Sequence, residues 1–390
     1  MRRRISIPGP RERLLDRFGG GGEPRLVEAP GRVNLIGEHI DYHQLAVLPM
    51  ALDRRIDVAF RVRSDARIRA ASAQYGQREF EWTPQLVPVE RGDWENYLRA
   101  AAQAVAGRWG CAKGVDAVVE SDLPAAAGLS SSSALLVAFT LALLQANGIE
   151  AGFAELMDIL PDGEQFVGTR GGGMDHAASL ESREGCASLV QFAPLSLRPI
   201  PVPADWCFVV AHSLFTAEKS GSAREEYNLR RAGGATALAR LGCASYREAL
   251  PMASELAARL ESGPERDAFL HVTSEALRVR AAVAAMENGD AAAFGRLLLE
   301  SHASLRDQLR VSSPALDQLV EAAMESGASG ARLTGAGFGG CVVVVCGHDN
   351  RAAVRRGLIE RYYAGRAAFD EQIHLLDVRP ANGALRLEKK

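Results

Sequence analysis

Arg32, Asn34, Glu38, His39 and Asp41 crowd into one short stretch punctuated by Gly31 and Gly37. Two carboxylates and an imidazole that close together suit a polyhydroxylated ligand, because each carboxylate can accept from two hydroxyls of one ring. A second stretch, Leu123-Pro-Ala-Ala-Ala-Gly-Leu-Ser-Ser-Ser-Ser-Ala134, suits a different partner. Its tiny side chains let backbone approach a ligand closely, and it feeds straight into the start of an apolar helix. Unpaired N–H groups and the positive end of the helix dipole there favour a polyanion. The hydroxyls of residues 130–133 add candidate phosphate or Mg²⁺ contacts. Neither Lys113 nor Lys219 follows the glycines of a G-x-x-x-x-G-K-[ST] loop, so a phosphate site of that kind is excluded. Two further glycine-rich segments are Gly171-Gly-Gly-Met-Asp-His176, which places Asp175 after glycines that would let a substrate in, and Leu333-Thr-Gly-Ala-Gly-Phe-Gly-Gly340.

The composition narrows the chemistry. The chain has 390 residues, 47% hydrophobic and 24% charged, which supplies a large core and predicts two domains. A formal net charge of -3 argues against a general nucleic-acid binder. Of the 45 basic residues only Lys113, Lys219, Lys389 and Lys390 are lysines, so a catalytic cation early in the chain has to be an arginine. The six cysteines (Cys111, Cys186, Cys207, Cys243, Cys341 and Cys346) form no C-x-x-C pair and no zinc spacing with histidine. They read as reduced thiols of a cytoplasmic protein. The basic N-terminus lacks the apolar segment of a signal peptide. The longest near-continuous apolar run, residues 134–144, is about half of what spans a bilayer, so no membrane association is expected.

The elements that must hold these segments can be read from periodicity. Residues 11–18 predict a short amphipathic helix, and residues 25–29 a strand running into a turn at Pro30-Gly31. Alternating apolar residues over 47–62 predict half-buried strands of an antiparallel sheet. Residues 94–109 predict a helix, 115–119 a strand, and 134–145 a helix apolar nearly all round and therefore buried. Strands are expected at 189–192 and 207–211, an almost wholly helical region over 223–326 with Gly327 as its stop, and a strand, glycine turn and strand over 331–346. The order predicts an α+β protein of two domains, residues 1–204 and 205–390.

Taken together and in this order, Pro-Gly-Arg-Val-Asn-Leu-Ile-Gly-Glu-His, Gly-Leu-Ser-Ser-Ser, Gly-Gly-Met-Asp and Thr-Gly-Ala-Gly-Phe-Gly-Gly-Cys resemble the signature motifs of the galactokinase branch of the GHMP kinases. The resemblance extends to the segments at Trp94, Glu226 and Ser301 and covers nearly the whole chain. It implies an N-terminal domain like ribosomal S5 domain 2, a ferredoxin-like C-terminal domain, and an active site between them. It further implies ATP-dependent phosphorylation of galactose at its anomeric hydroxyl, with Mg²⁺ as cofactor, ATP and a monosaccharide as partners, and a monomeric protein. Carried over by position, Asp175 is the catalytic aspartate and Arg32 the catalytic arginine. Glu38, His39, Asp41, Gly172 and Tyr227 are the sugar contacts. Gly128, Leu129, Ser130, Ser131 and Ser132 form the phosphate loop, with Trp94 either beside the adenine or in the core. Ser132 and Glu164 are the metal ligands, although Leu160-Pro-Asp-Gly-Glu164 breaks the helical pattern that should carry Glu164. Gly335, Gly337 and Gly339 would support the loop from the other domain.

Departures from the family pattern bear on the sugar. The usual Glu-His-Thr-Asp-Tyr-Asn-Gly-Gly and Met-Asp-Gln give way to Ile40, to His43-Gln44-Leu45 and to His176. Gln44 and Leu45 cannot take positive φ cheaply, so the turn beside the sugar is expected to change. Ile40 and the triple glycine before Met174 look more like the N-acetylgalactosamine kinase branch, which leaves that sugar, or another sugar 1-kinase activity, as the alternative. A non-catalytic sugar sensor is disfavoured because Arg32, Asp175 and the serine loop are intact. A non-sugar substrate is disfavoured because Glu38, His39 and Asp41 suit hydroxyls.

Overall fold

The computed structural model describes residues 9–110, 112–124, 128–168, 171–216 and 221–387. Residues 125–127 of the small-residue loop lie outside it. So do 169–170 in the second glycine cluster, the first eight residues, Cys111, Lys219, Lys389 and Lys390. After helix α1 (Pro10–Phe18) come strands β1 (Arg25–Ile36), β2 (Leu48–Val62), β3 (Arg67–Ser72), β4 (Gly76–Glu81) and, after α2 (Glu95–Trp109), β5 (Val115–Ser121). They form one sheet in the order β1-β2-β5-β3-β4, antiparallel except between β3 and β5. Helices α3 (Ser131–Ala146), α4 (Phe153–Phe166) and α5 (Met174–Glu181) follow, then the hairpin β6 (Cys186–Phe192) and β7 (Leu195–Pro201).

β8 (Trp206–His212) opens a second sheet. Between it and the remaining strands run α6 (Gly221–Leu241), the short α7 (Tyr246–Ala249) and α8 (Ala253–Ala258), and the longer α9 (Pro264–Glu287), α10 (Ala291–Asp307) and α11 (Pro314–Glu325). β9 (Gly330–Thr334), β10 (Cys341–Gly347) and, after α12 (Arg351–Leu358) and α13 (Glu371–His374), β11 (Leu375–Val378) complete an antiparallel sheet in the order β11-β8-β10-β9. The molecule is α+β, with a main sheet in each half and the β6–β7 hairpin as a third, two-stranded sheet. No helix among the described residues is long and apolar enough to cross a membrane.

Three local features depart from sequence expectation. Pro30-Gly31 is not a turn. β1 runs through it with a shift of register against β2 between Pro30 and Arg32. The proline carbonyl accepts from Ser179 Oγ of α5 at 2.8 Å, and the Arg32 amide donates to Leu129 O at 3.1 Å, so the bulge is satisfied from outside the sheet. Second, Pro161 sits inside α4 rather than ending it, which keeps Glu164 on a helix. Third, Gln44 does adopt the left-handed conformation (φ 62°) in the turn after Tyr42. Leu45 is buried, and apolar packing holds the strained residue in place.

The C-terminal segment also crosses back to the first half. Ala381 N–H donates to Ala51 O of β2 at 3.0 Å, and Gly383 packs against Leu180 of α5. The length assigned to the second domain therefore ends on the first sheet, a long-range pairing that no local pattern announces.

Helix α10 lies directly on the start of β9, and Gly295 makes this possible: a Cβ there would sit 1.7 Å from Ser329 O. Gly295→Ala should therefore overpack the contact and lower stability by about 1–3 kcal/mol. A fall in the urea midpoint at unchanged m-value checks it; an unchanged midpoint would mean that α10 can shift freely.

Candidate active site

Arg32 leaves β1 just after the bulge and points at α5. Its Nε donates to Asp175 Oδ1 at 2.7 Å, Nη2 pairs with the same oxygen at 2.6 Å, and Nη1 donates to Gly128 O at 2.7 Å. One guanidinium thus ties the carboxylate of the Gly-Gly-Met-Asp segment to the small-residue loop. Ser130, in the left-handed conformation before α3, donates its hydroxyl to Asp175 Oδ2. Burial alone would push the Asp175 carboxyl up, but Arg32, the Ser130 hydroxyl and His176 outweigh it and hold the group below its ordinary value. Asp175 keeps about a fifth of its side chain open (22%), so an ionised carboxylate faces the site.

Glu38 is treated differently. Its side chain is 2% exposed, Oε2 accepts from Asn34 Nδ2 at 2.7 Å, and Oε1 accepts from the Gly335 amide at 2.5 Å. Arg332 of β9, fully buried, faces Oε1 at 3.5 Å and donates from Nη1 to the carbonyls of Asn34 and Leu35 at 3.2 and 3.0 Å. Burial raises the Glu38 carboxyl and lowers Arg332, each partly offset by the other's charge. Beyond this pair, the Gly37 amide and Ser301 Oγ donate to Glu275 Oε1 of α9 at 2.9 and 2.7 Å. Glu275 is held ionised, its carboxyl at about 2, by Arg278, His271 and Arg332 against the opposing effect of burial. Arg332, Glu275 and His271, whose ring bonds Glu38 O at 3.0 Å, carry no motif that sequence reading detects. The only signal for them is charge inside otherwise apolar helix and strand patterns.

The remaining sugar-motif residues gather beside Asp175. Asp41 is buried and accepts from the Gly172 amide at 3.1 Å. No other residue fits at Gly172, where a Cβ would meet Tyr42 N at 2.3 Å. Burial, the neighbouring charge of Asp175 and Glu38 push Asp41 up to about 7, although backbone N–H groups pull the other way. Tyr227 of α6 lies with its ring 5.2 Å from His39 and 5.7 Å from Tyr42. Both ring nitrogens of His39 are committed to protein. Nε2 lies 3.1 Å from Ala336 O and so carries the proton, leaving Nδ1 to accept from Tyr42 OH at 2.9 Å. Burial lowers its pKa to about 3, so the ring is neutral. His39 thus bonds Tyr42 within its own turn and Ala336 O on the segment after β9.

The loop itself is shaped by close approach. Gly128 has φ 75°, and a Cβ there would lie 3.1 Å from Thr334 O, while one at Gly335 would lie 3.1 Å from Gly128 O. Leu129 is buried and anchors the loop; Ser131 and Ser132 occupy the half-buried start of α3, whose first amides have no partner within the helix. Glu164 is on hand from α4, but the hydroxyl it accepts from is that of Ser133, at 2.5 Å, not Ser132. Ser133 Oγ also lies 3.5 Å from Asp175 Oδ2. The other Glu164 oxygen faces space that a side chain at Gly171 would fill, 2.8 Å from its Cβ position. Carboxylate and hydroxyl oxygens with room beside them fit a hard cation such as Mg²⁺. His176 is fully buried next to Glu164 (3.7 Å) with neither ring nitrogen hydrogen-bonded. Trp94 is buried in the core of the first half, its indole N–H without a partner.

Comparison with known proteins gives a consistent result. The model of the galactokinase galactose-binding signature matches residues 13–62, that of the GHMP kinases N terminal domain 96–183, and that of the GHMP kinases C terminal 282–364. A galactokinase of Chloroflexus aurantiacus is 37% identical over 89% of this chain and 90% of its own, and one of a Roseiflexus species 38% over 88% and 89%. The crystal structure of Lactococcus lactis galactokinase complexed with galactose superposes with a TM-score of 0.86 at 27% identity, covering 97% of this chain and 98% of that one. A mevalonate kinase, at 17% identity and a TM-score of 0.65, shares the fold alone.

The Glu38–Arg332 contact joins the two halves through buried charge. Arg332→Met keeps the bulk but removes one of the charges that offset the burial of Glu38, and should cost up to about 3–5 kcal/mol, the scale of a broken buried pair. A drop in the thermal midpoint together with faster proteolysis is expected; wild-type behaviour in both would show the pair to be dispensable.

Proposed function

The chain belongs to the galactokinase family of GHMP kinases, and on that premise we propose how its residues work as an ATP-dependent galactokinase. The reaction moves the γ-phosphoryl group of ATP to the anomeric hydroxyl of galactose and yields galactose 1-phosphate and ADP. The observation that carries the assignment of roles is the single Arg32 guanidinium bonded to both Asp175 and Gly128 O. It puts an ionised base, a fixed cation and the turn before a helix N-terminus within one hydrogen-bonded unit.

Asp175 takes the proton of the attacking hydroxyl as the new oxygen–phosphorus bond forms and the bond to the bridging oxygen of ADP breaks. An anomeric hydroxyl is more acidic than an ordinary alcohol, so a carboxylate held low in pKa suffices. Arg32 keeps Asp175 charged and lies beside the charge that builds on the transferring group. Gly128, Leu129, Ser130, Ser131 and Ser132 supply backbone amides to the phosphates, with the Ser130 hydroxyl orienting Asp175. Asp41 accepts from ring hydroxyls, held by the Gly172 amide, and Tyr227 walls the pocket; Glu38 and His39 position this set from behind. Mg²⁺ entering with ATP would be held by Ser132 and Glu164 and would neutralise phosphate charge. The position of Trp94 in the core supports a packing role for it.

Three outcomes test these roles. A coupled ADP-release assay across galactose, N-acetylgalactosamine, glucose, arabinose and galacturonate should rank galactose first; a preference for glucose overturns the sugar assignment. Asp175→Asn should abolish turnover, at least about a thousandfold in kcat, while ATP and galactose still bind by calorimetry. More than a few per cent residual kcat would remove Asp175 as the base.

The pH dependence follows from Asp41. Its ionised form accepts hydroxyls and is lost as pH falls through about 7, so galactose affinity should weaken from pH 8 to pH 6. Asp175 is one of the charges raising Asp41. In Asp175→Asn the inflection should therefore move to lower pH, and calorimetric titration that finds it unmoved would refute the coupling.

A further inference from the structure

His43 stands in the turn after Tyr42, just before the left-handed Gln44 (φ 62°). The His43 ring lies 4.7 Å from the ring of Tyr42 and 4.7 Å from that of Tyr246. Its tip enters α6 at Gly234, where a Cβ would be 2.3 Å from Nε2 and 2.8 Å from Cε1. Tyr246 closes the same notch, donating its hydroxyl to Gly234 O at 2.9 Å. His43 Nε2 is buried with no hydrogen-bond partner, so shape and not a polar bond seats the ring. Glycine inside a helix weakens it, and here two stand in succession, Gly233 and Gly234.

The notch connects to the pocket through α6. Gly234 follows Tyr227 by seven residues, two turns further along the same face. Tyr227 is the ring packed on His39 and Tyr42. A key at one point of a rigid helix face therefore sets the height and rotation of the other. We propose that His43 and Gly234 form a shape-matched lock on α6 that positions Tyr227 against the sugar site, making both of them positioning residues for substrate selection. This rests on the sugar-site reading above. It accounts for a histidine where the family pattern has asparagine, since a smaller side chain would leave the notch empty.

The test is a double-mutant cycle on the full-length enzyme. Gly234→Ala pushes the ring out and should raise the galactose KM about tenfold, within the range that a misplacement of about 1 Å commands, with the ATP KM unchanged. His43→Ala empties the notch and should raise it less. The double variant, with a methyl on each side, should return the galactose KM to within about threefold of wild type. Non-additivity in the galactose KM alone supports the lock. Equal losses for both substrates, or coupling seen only in the urea midpoint, would reduce the pair to core packing and overturn it. Tyr227→Ala separates the two readings. If it leaves the galactose KM unchanged, the sugar-site assignment falls and the lock with it. If it raises that KM while Gly234→Ala does not, the lock alone fails.

Discussion

Strand β1 and the turn that follows it bury two opposite charges, Arg32 and Glu38, and neither can be left uncompensated at the interior dielectric. The partners come from distant parts of the chain. Asp175 and the Gly128 carbonyl answer Arg32; Asn34, the Gly335 amide and Arg332 answer Glu38. The first set brings a carboxylate, a guanidinium and the small-residue loop together. The second draws β9 of the other half onto the same strand. The geometry proposed for catalysis and the joining of the halves thus follow from one electrostatic requirement.

Carboxylates in this small volume are pushed to different states, and the difference underlies the roles proposed for them. Asp175 stays ionised because a guanidinium and a hydroxyl outweigh its burial. Asp41, held in the same site without an arginine bonded to it, is raised to about 7 partly by the charge on Asp175. Pairs of groups whose surroundings separate their pKa values mark acid–base assignments. Here the separation comes from a single arginine that bonds one carboxylate and not the other.

Glycines do the remaining assembly by permitting backbone contact. Gly128 and Gly335 bring loops of opposite halves within van der Waals range, Gly172 lets its amide reach Asp41, and Gly31 fits beneath Leu123 and the Leu129 carbonyl. At these positions a Cβ would press a loop away from the site, and a shift of about an ångström is enough to spoil the alignment that phosphoryl transfer needs.

Each motif alone is compatible with an ordinary capped helix, polar loop or glycine turn; it is the four together and in this order, resembling the galactokinase pattern, that make the chemistry legible. The buried helix α3, the strands β2, β5 and β10, and the helical run up to Gly327 are legible too, since each satisfies a local period. The first hundred residues have no lysine, so an early cation has to be an arginine, and the family resemblance singles out Arg32 among the many there. Local pattern does not show that Pro30-Gly31 continues a strand, that Pro161 stays within α4, or that Gln44 accepts a left-handed backbone. For the first and the last, tertiary partners offset the local cost: Ser179 and Leu129 at the bulge, a packed Leu45 beside Gln44. Nor does it show Arg332, Glu275 or His271 at the site, or that Glu164 pairs with Ser133 rather than Ser132. Their roles depend on which carboxylate, carbonyl or hydroxyl stands opposite, and that is decided only when strands and helices far apart in the chain are brought into contact.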